Sequence, residues 1–191
     1  MAVAAGLGLV LSVITAVVLR PTTALPAAIA FTIISSFVIG VELRHHRLSR
    51  NALMVSILVV LAAQAVGASI GDDPSVLLGS LAGGLVAGLA VLTVHVASPN
   101  NLSAYEVRYA ALIGTTLGWF GVARVGLGLG LGLVIGAISA GPIVLFSRRR
   151  AEAGQLQRPL VTSYAPALAV GAWISLCWGD AIVRWYAAGG G

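Results

Sequence analysis

Residues 76–97 read VLLGSLAGGLVAGLAVLTVHVA, a stretch with no Asp, Glu, Lys or Arg. A run of more than about 18 apolar residues is long enough to cross a bilayer as a helix. Six further stretches share its character, at approximately 2–19, 26–42, 52–70, 107–123, 125–147 and 162–187. Together they predict an all-α polytopic membrane bundle of six to seven transmembrane helices. Its backbone polar groups would be satisfied within the helices, as a bilayer requires.

Composition points the same way. Of 191 residues, 59% are apolar and 9% charged, against about a quarter charged in a soluble domain. The mean hydropathy is +1.01. With connections this short, residues 1–191 read as one integral membrane domain with no separate soluble domain. Every basic residue is Arg, there is no Lys, and the net charge is +5. The arginines cluster in short connections beside apolar spans, a pattern of topology signals and lipid headgroup contacts rather than of nucleic-acid binding. The lone Cys177 lies in the last apolar stretch, where it reads as a packing residue; it cannot form an internal disulfide or a zinc cluster. Met1 to Leu19 carries no charge, so the first stretch reads as a retained helix rather than a cleaved leader.

Turn signals separate the spans. Pro21 and Pro26 bracket the first, Asp72-Asp73-Pro74 makes the third, and Ser98-Pro99-Asn100-Asn101 makes the fourth. Asp73 reads as a helix start near the N-cap. Only Arg124 divides the fifth stretch from the sixth, so a tight turn or broken helix is expected there. Arg44, Arg47 and Arg50 make the connection 43–51 basic, and Arg148, Arg149, Arg150 and Arg158 do the same for 148–158. Counting seven spans, both fall on one side together with 98–106, and the positive-inside rule makes that side cytoplasmic. Asp72, Asp73 and the C-terminus fall outside.

Glycines recur at helical spacing at Gly79, Gly83, Gly84 and Gly88, and along the sixth span at Gly126, Gly128, Gly130, Gly132, Gly136 and Gly141. They read as close helix–helix packing. A phosphate loop is excluded because no Lys follows and the run lies in an apolar span. Among polar residues, His45 and His46 are adjacent and about a quarter-turn apart on a helix, a poor metal pair. Asp180 and Arg184 have the i, i+4 spacing of an intrahelical ion pair. No cofactor or metal set is apparent.

Two acids stand out. Glu42 ends one apolar stretch, Glu106 begins another, and two spans lie between them. Two crossings return a chain to the side it left, so both carboxyls are expected at one membrane face. Facing carboxyl groups are the minimum equipment for acid–base hydrolysis. The alternative is that each glutamate marks a headgroup boundary, where charge costs little, with Arg44 compensating Glu42.

The surroundings of both glutamates resemble those of the type IV prepilin peptidase family. Residues 42–53, ELRHHRLSRNAL, are similar to its D-x-R-x-x-R-[IL]-P-N-x-L segment, and residues 103–119, SAYEVRYAALIGTTLGW, to its G-x-G-D-x-K-L-x-x-x-x-G-x-x-x-G-W. Residues 164–172, YAPALAVGA, resemble P-F-G-P-x-L-x-x-G-A, and residues 78–84 the glycine-rich helix before the second aspartate motif. The likeness covers roughly 26–187, in order and spacing.

It implies an aspartic-type endopeptidase of the cytoplasmic (inner) membrane. Such an enzyme cleaves the basic leader of prepilins, single-helix membrane proteins of pilus biogenesis and protein secretion. Glu42 and Glu106 occupy the two catalytic aspartate positions, with Arg44 and Arg108 in support. The departures are Glu for Asp at both positions, Tyr105 for the second glycine, Arg108 for Lys, and no proline in the first motif. Each Asp-to-Glu change moves a carboxyl out by one methylene, and a displacement of about 1 Å can cost a hundredfold in rate. The partners implied are membrane lipid and a prepilin-like substrate. A non-catalytic relative serving as a subunit of a larger membrane complex is the alternative, and a small transporter is a third class.

Overall fold

The computed structural model describes residues 2–19, 22–45, 50–97, 103–152 and 163–189, with side chains placed in all of these except 2–5, 42–45, 50 and 142–152. Seven helices and no strand occur among the described residues: α1 (Ala2–Leu19), α2 (Leu25–His45), α3 (Arg50–Gly71), α4 (Ser75–Ala97), α5 (Ala104–Gly118), α6 (Val122–Glu152) and α7 (Ala165–Gly189). Four are long and apolar enough to cross a membrane, within Asn51–Gly71, Ser75–Ala97, Val122–Gly141 and Ala165–Gly189. The apolar stretches Gly6–Leu19 and Leu25–Val41 are shorter. Large apolar side chains point outward, with Val17 73%, Ile70 72% and Leu85 64% exposed. In water that surface would be a liability, whereas lipid tails solvate it.

Successive helices run antiparallel. At one end Thr23, before α2, meets Gly67 and Gly71 near the end of α3, and Gly67 also faces Trp119 just after α5. The same end holds the Asp72–Pro74 turn and Gly121. There Asp73 Oδ1 accepts from the Ser75 N–H (3.0 Å) and the Ser75 hydroxyl (2.6 Å), the helix start its sequence predicts. The C-terminal end of α2, both ends of the 98–102 connection and the start of α7 gather at the opposite end. The basic stretches around Arg44 and Arg148 therefore leave the bundle at one end.

α5 is the hub. It touches α2, α3, α4, α6 and α7, and Tyr109, Leu112, Ile113 and Leu117 are fully buried. At 15 residues and about 1.5 Å per residue, it is only some 22 Å long. Glycine makes its close packing feasible. A Cβ at Gly83 would lie 2.5 Å from the Gly114 carbonyl oxygen, and one at Gly79 would lie 2.9 Å from that of Gly118. α6 meets α7 in the same way, Gly128, Gly132 and Gly136 opposing Ser175, Leu168 and Tyr164. Gln64, buried on α3, donates to the Thr115 carbonyl at 2.9 Å.

The break between the fifth and sixth helices falls earlier than the charge at Arg124 suggests. The turn is Trp119–Phe120–Gly121, and Gly121 takes φ +109°, a left-handed conformation that side chains oppose. Arg124 belongs to the first turn of α6 and is 6% exposed.

Candidate functional site

α5 starts at Ala104 with Ser103 as N-cap, in extended backbone (φ −94°, ψ 158°). Glu106 therefore lies in the first helical turn, where backbone N–H groups have no intrahelical acceptor. Its side chain is 3% exposed. Oε2 accepts from the Ser103 N–H at 2.5 Å, the reach-back half of a capping box. Oε1 accepts from the Tyr164 N–H at 2.6 Å. Tyr164 precedes α7, and its carbonyl accepts the Leu168 N–H at 2.9 Å as an N-cap does. One carboxylate thus bridges the amino ends of two parallel helices 58 positions apart, each carrying partial positive charge. A carboxylate has about four acceptor positions, and the two backbone N–H groups occupy two of them.

Tyr105, where the family resemblance places a glycine, is helical. Its ring stacks on Tyr109 at 6.3 Å and packs on the bundle core. Among the described residues Asp72 is the only non-glycine with positive φ, so position 105 makes no demand for glycine. Arg108 is half-buried. It lies two positions from Glu106, roughly 200° round the helix, and such positions do not face each other. The structure does not bring Arg108 to the Glu106 carboxylate.

Glu42 and Arg44 lie in the last turns of α2, but their side chains fall outside the described residues, as do His45 and His46. The α2 backbone still locates position 42. It runs one turn from Val38, which shares a core cluster with Tyr109, to position 42. Position 42 and Glu106 are therefore at the same end of the bundle, on elements that touch.

A second polar cluster lies at the other end. Arg124 and Asp180 form an ion pair, with Nε donating to Oδ1 at 3.0 Å. Arg124 also donates to the Leu176 carbonyl (3.3 Å) and stands 4.4 Å from the Phe120 ring centroid. Arg184, the partner suggested by spacing, instead donates to the Asp180 backbone carbonyl at 3.2 Å. Sequence spacing misses Arg124–Asp180 because it depends on the register of α6 against α7. The signal in the sequence was Arg124 itself, a charge within an apolar run. No group of three or more metal-ligating side chains occurs among the described residues. No family model, curated protein or solved structure matches the chain.

Proposed function

We propose that this chain is a prepilin-peptidase-like endopeptidase of the cytoplasmic membrane, cleaving the leader of a small single-helix membrane protein with a Glu42/Glu106 carboxyl pair. One observation carries the proposal: Glu106 is buried yet held at both oxygens by the amino ends of α5 and α7, at the end of the bundle where α2 delivers position 42. A carboxylate fixed by backbone amides needs no reorganisation during reaction. Two of its roughly four acceptor positions take no backbone donor.

One glutamate takes a proton from water as its oxygen attacks the scissile carbonyl carbon. The other donates its proton to the carbonyl oxygen. The tetrahedral intermediate then collapses: the first glutamate gives its proton to the leaving amine, the second takes one back from a hydroxyl of the intermediate, and the C–N bond breaks. Two carboxyls in contact share one proton, since like charges do not both ionise easily. The bundle has six or seven crossings with the Arg44 and Arg148 ends cytoplasmic, by the positive-inside rule. The family's fold is proposed on the same motifs.

The test is cleavage of a peptide with a basic leader ahead of an apolar helix by the purified protein in lipid. Glu42→Gln is expected to lower the rate at least about a hundredfold, the usual contribution of a general acid or base. Glu42→Asp should retain part of it. Absence of cleavage by the unaltered protein sinks the proposal.

The two backbone hydrogen bonds also favour a second reading. They give Glu106 a purely structural reason to be present, as a clamp in a non-catalytic assembly subunit of a larger membrane complex. In that case Glu42→Gln changes nothing measurable, and the protein co-purifies with partner membrane subunits.

A further inference from the structure

The hydroxyls inside these helices share one habit. Ser12 and Thr15 on α1, Thr32 and Ser36 on α2, and Thr115 and Thr116 on α5 each donate to the carbonyl four residues back, at 2.7–3.0 Å. That bond uses the one O–H and leaves the oxygen able only to accept. Ser35, between Thr32 and Ser36 on α2, departs from the habit. It is 6% exposed, and its Oγ makes no hydrogen bond to the Phe31 carbonyl or to any other group. An unmade hydrogen bond at a buried hydroxyl is costly, and such a group calls for a partner.

Ser35 opens into a groove of about 200 Å³ between α1, α2 and α7. Leu11, Phe31 and Trp173 give it apolar walls, and Thr32, Ser35 and Ser36 supply its hydroxyls. Trp173 Nε1 is already committed to Thr15, at 3.1 Å. The groove therefore presents one unused O–H, that of Ser35, beside two oxygens that can only accept. This inventory selects its ligand, which has to accept once and donate twice. Water does both. An ammonium group accepts nothing, an alcohol donates once, an ionised carboxylate donates nothing, and a hydrocarbon chain does neither. Spacing agrees. Thr32 lies three residues from Ser35 and four from Ser36, which sets the Cβ atoms about 5–6 Å apart. That is about twice the 2.7–2.8 Å of a single O–H···O bond, the span of one bridging molecule. A bound water needs two to four polar partners and only about 10–15 Å³ of such space, and the groove provides both.

We infer that this groove is a water-binding site, in which one water accepts from the Ser35 hydroxyl and donates to Thr32 Oγ1 and Ser36 Oγ. Thr32 Oγ1 also stands 3.4 Å from Thr15 Oγ1, the acceptor of Trp173. The water thereby completes a polar seam that runs across α7, α1 and α2, and it fastens the two shorter apolar helices to the rest of the bundle. The site is independent of the peptidase proposal.

The test is water-edited solid-state NMR on the full, isotope-labelled chain in lipid bilayers, which reads how fast polarisation passes from water to each side chain. Ser80 serves as the dry reference, since it is fully buried and donates to the Val76 carbonyl at 3.0 Å. The Ser35 Cβ signal is expected to build up several-fold faster than that of Ser80. Ser36→Ala and Thr32→Val each remove one acceptor, and each should slow Ser35 towards the Ser80 rate. Unchanged chemical shifts along α5 show that a variant is folded, and either variant suffices. A Ser35 signal as slow as that of Ser80 means that the hydroxyl has turned onto the Phe31 carbonyl or is covered by lipid, and overturns the inference. A fast signal indifferent to both substitutions means bulk solvent rather than a held water, and overturns it as well.

Discussion

Replacing Glu106 with Ala strips the acceptor from two partly buried backbone N–H groups, those of Ser103 and Tyr164. A hydrogen bond to a charged group contributes about 1.5–3 kcal/mol. Glu106→Ala should therefore lower the unfolding temperature in detergent markedly. Glu106→Gln, which keeps one acceptor oxygen, should lower it less. A glutamate that merely marked the headgroup boundary would leave the temperature unchanged in both. Arg124 makes a comparable case at the opposite end, since its guanidinium forks onto Asp180 and lies against Phe120. Arg124→Lys keeps the charge but loses the planar fork; because Asp180 is 68% exposed and solvent screens the pair, thermal unfolding should show a drop of about 0.5–1.5 kcal/mol, the net worth of an ordinary hydrogen bond. That Glu106 mattered was legible from scarcity, because it is one of six acids in 191 residues. That its partners are amides of Ser103 and Tyr164 was not, since backbone N–H groups look alike in every sequence.

Among the helices, the glycines divide into two kinds that composition cannot tell apart. Gly83 and Gly114 press α4 onto α5, and a Cβ on either collides with backbone of the other helix. Gly126 and Gly130 on α6 face open space. Gly83→Leu or Gly114→Leu should split the α4–α5 pair and abolish a cooperative unfolding transition in detergent. Gly126→Ala and Gly130→Ala should be neutral, or stabilise by up to about 1 kcal/mol through helix propensity. If both pairs behave alike, the packing described for α4 and α5 is wrong. The turn after α5 shows the same limit of local reading. Arg124 marks a break by its charge, yet the chain turns at Gly121, where φ +109° is open to glycine. Gly121→Ala should destabilise by about 1–2 kcal/mol in the same assay.

At the scale of the molecule, alternating helix directions set Pro74 and Ala104 at opposite ends. In a Cys177→Ala background, Pro74→Cys should react with a membrane-impermeant maleimide from outside intact cells. Ala104→Cys should react only after the membrane is opened. The reverse result would invert the proposed orientation and move the glutamate end outside. The sequence by itself determined that this is a helical membrane protein, roughly where its helices lie, and which ends carry the arginines. Those properties are sums over neighbouring residues: hydrophobicity accumulates along a span, and Pro, Gly and Asp act on the backbone within a few positions. Only the tertiary structure decided that the short α5 is the hub, that Glu106 ties it to α7, that Asp180 answers to Arg124 rather than Arg184, and that Ser35 opens into a groove. Each of these depends on the register and rotation of one helix against another. Apolar surfaces on all sides of a helix leave that rotation open until neighbouring side chains interlock.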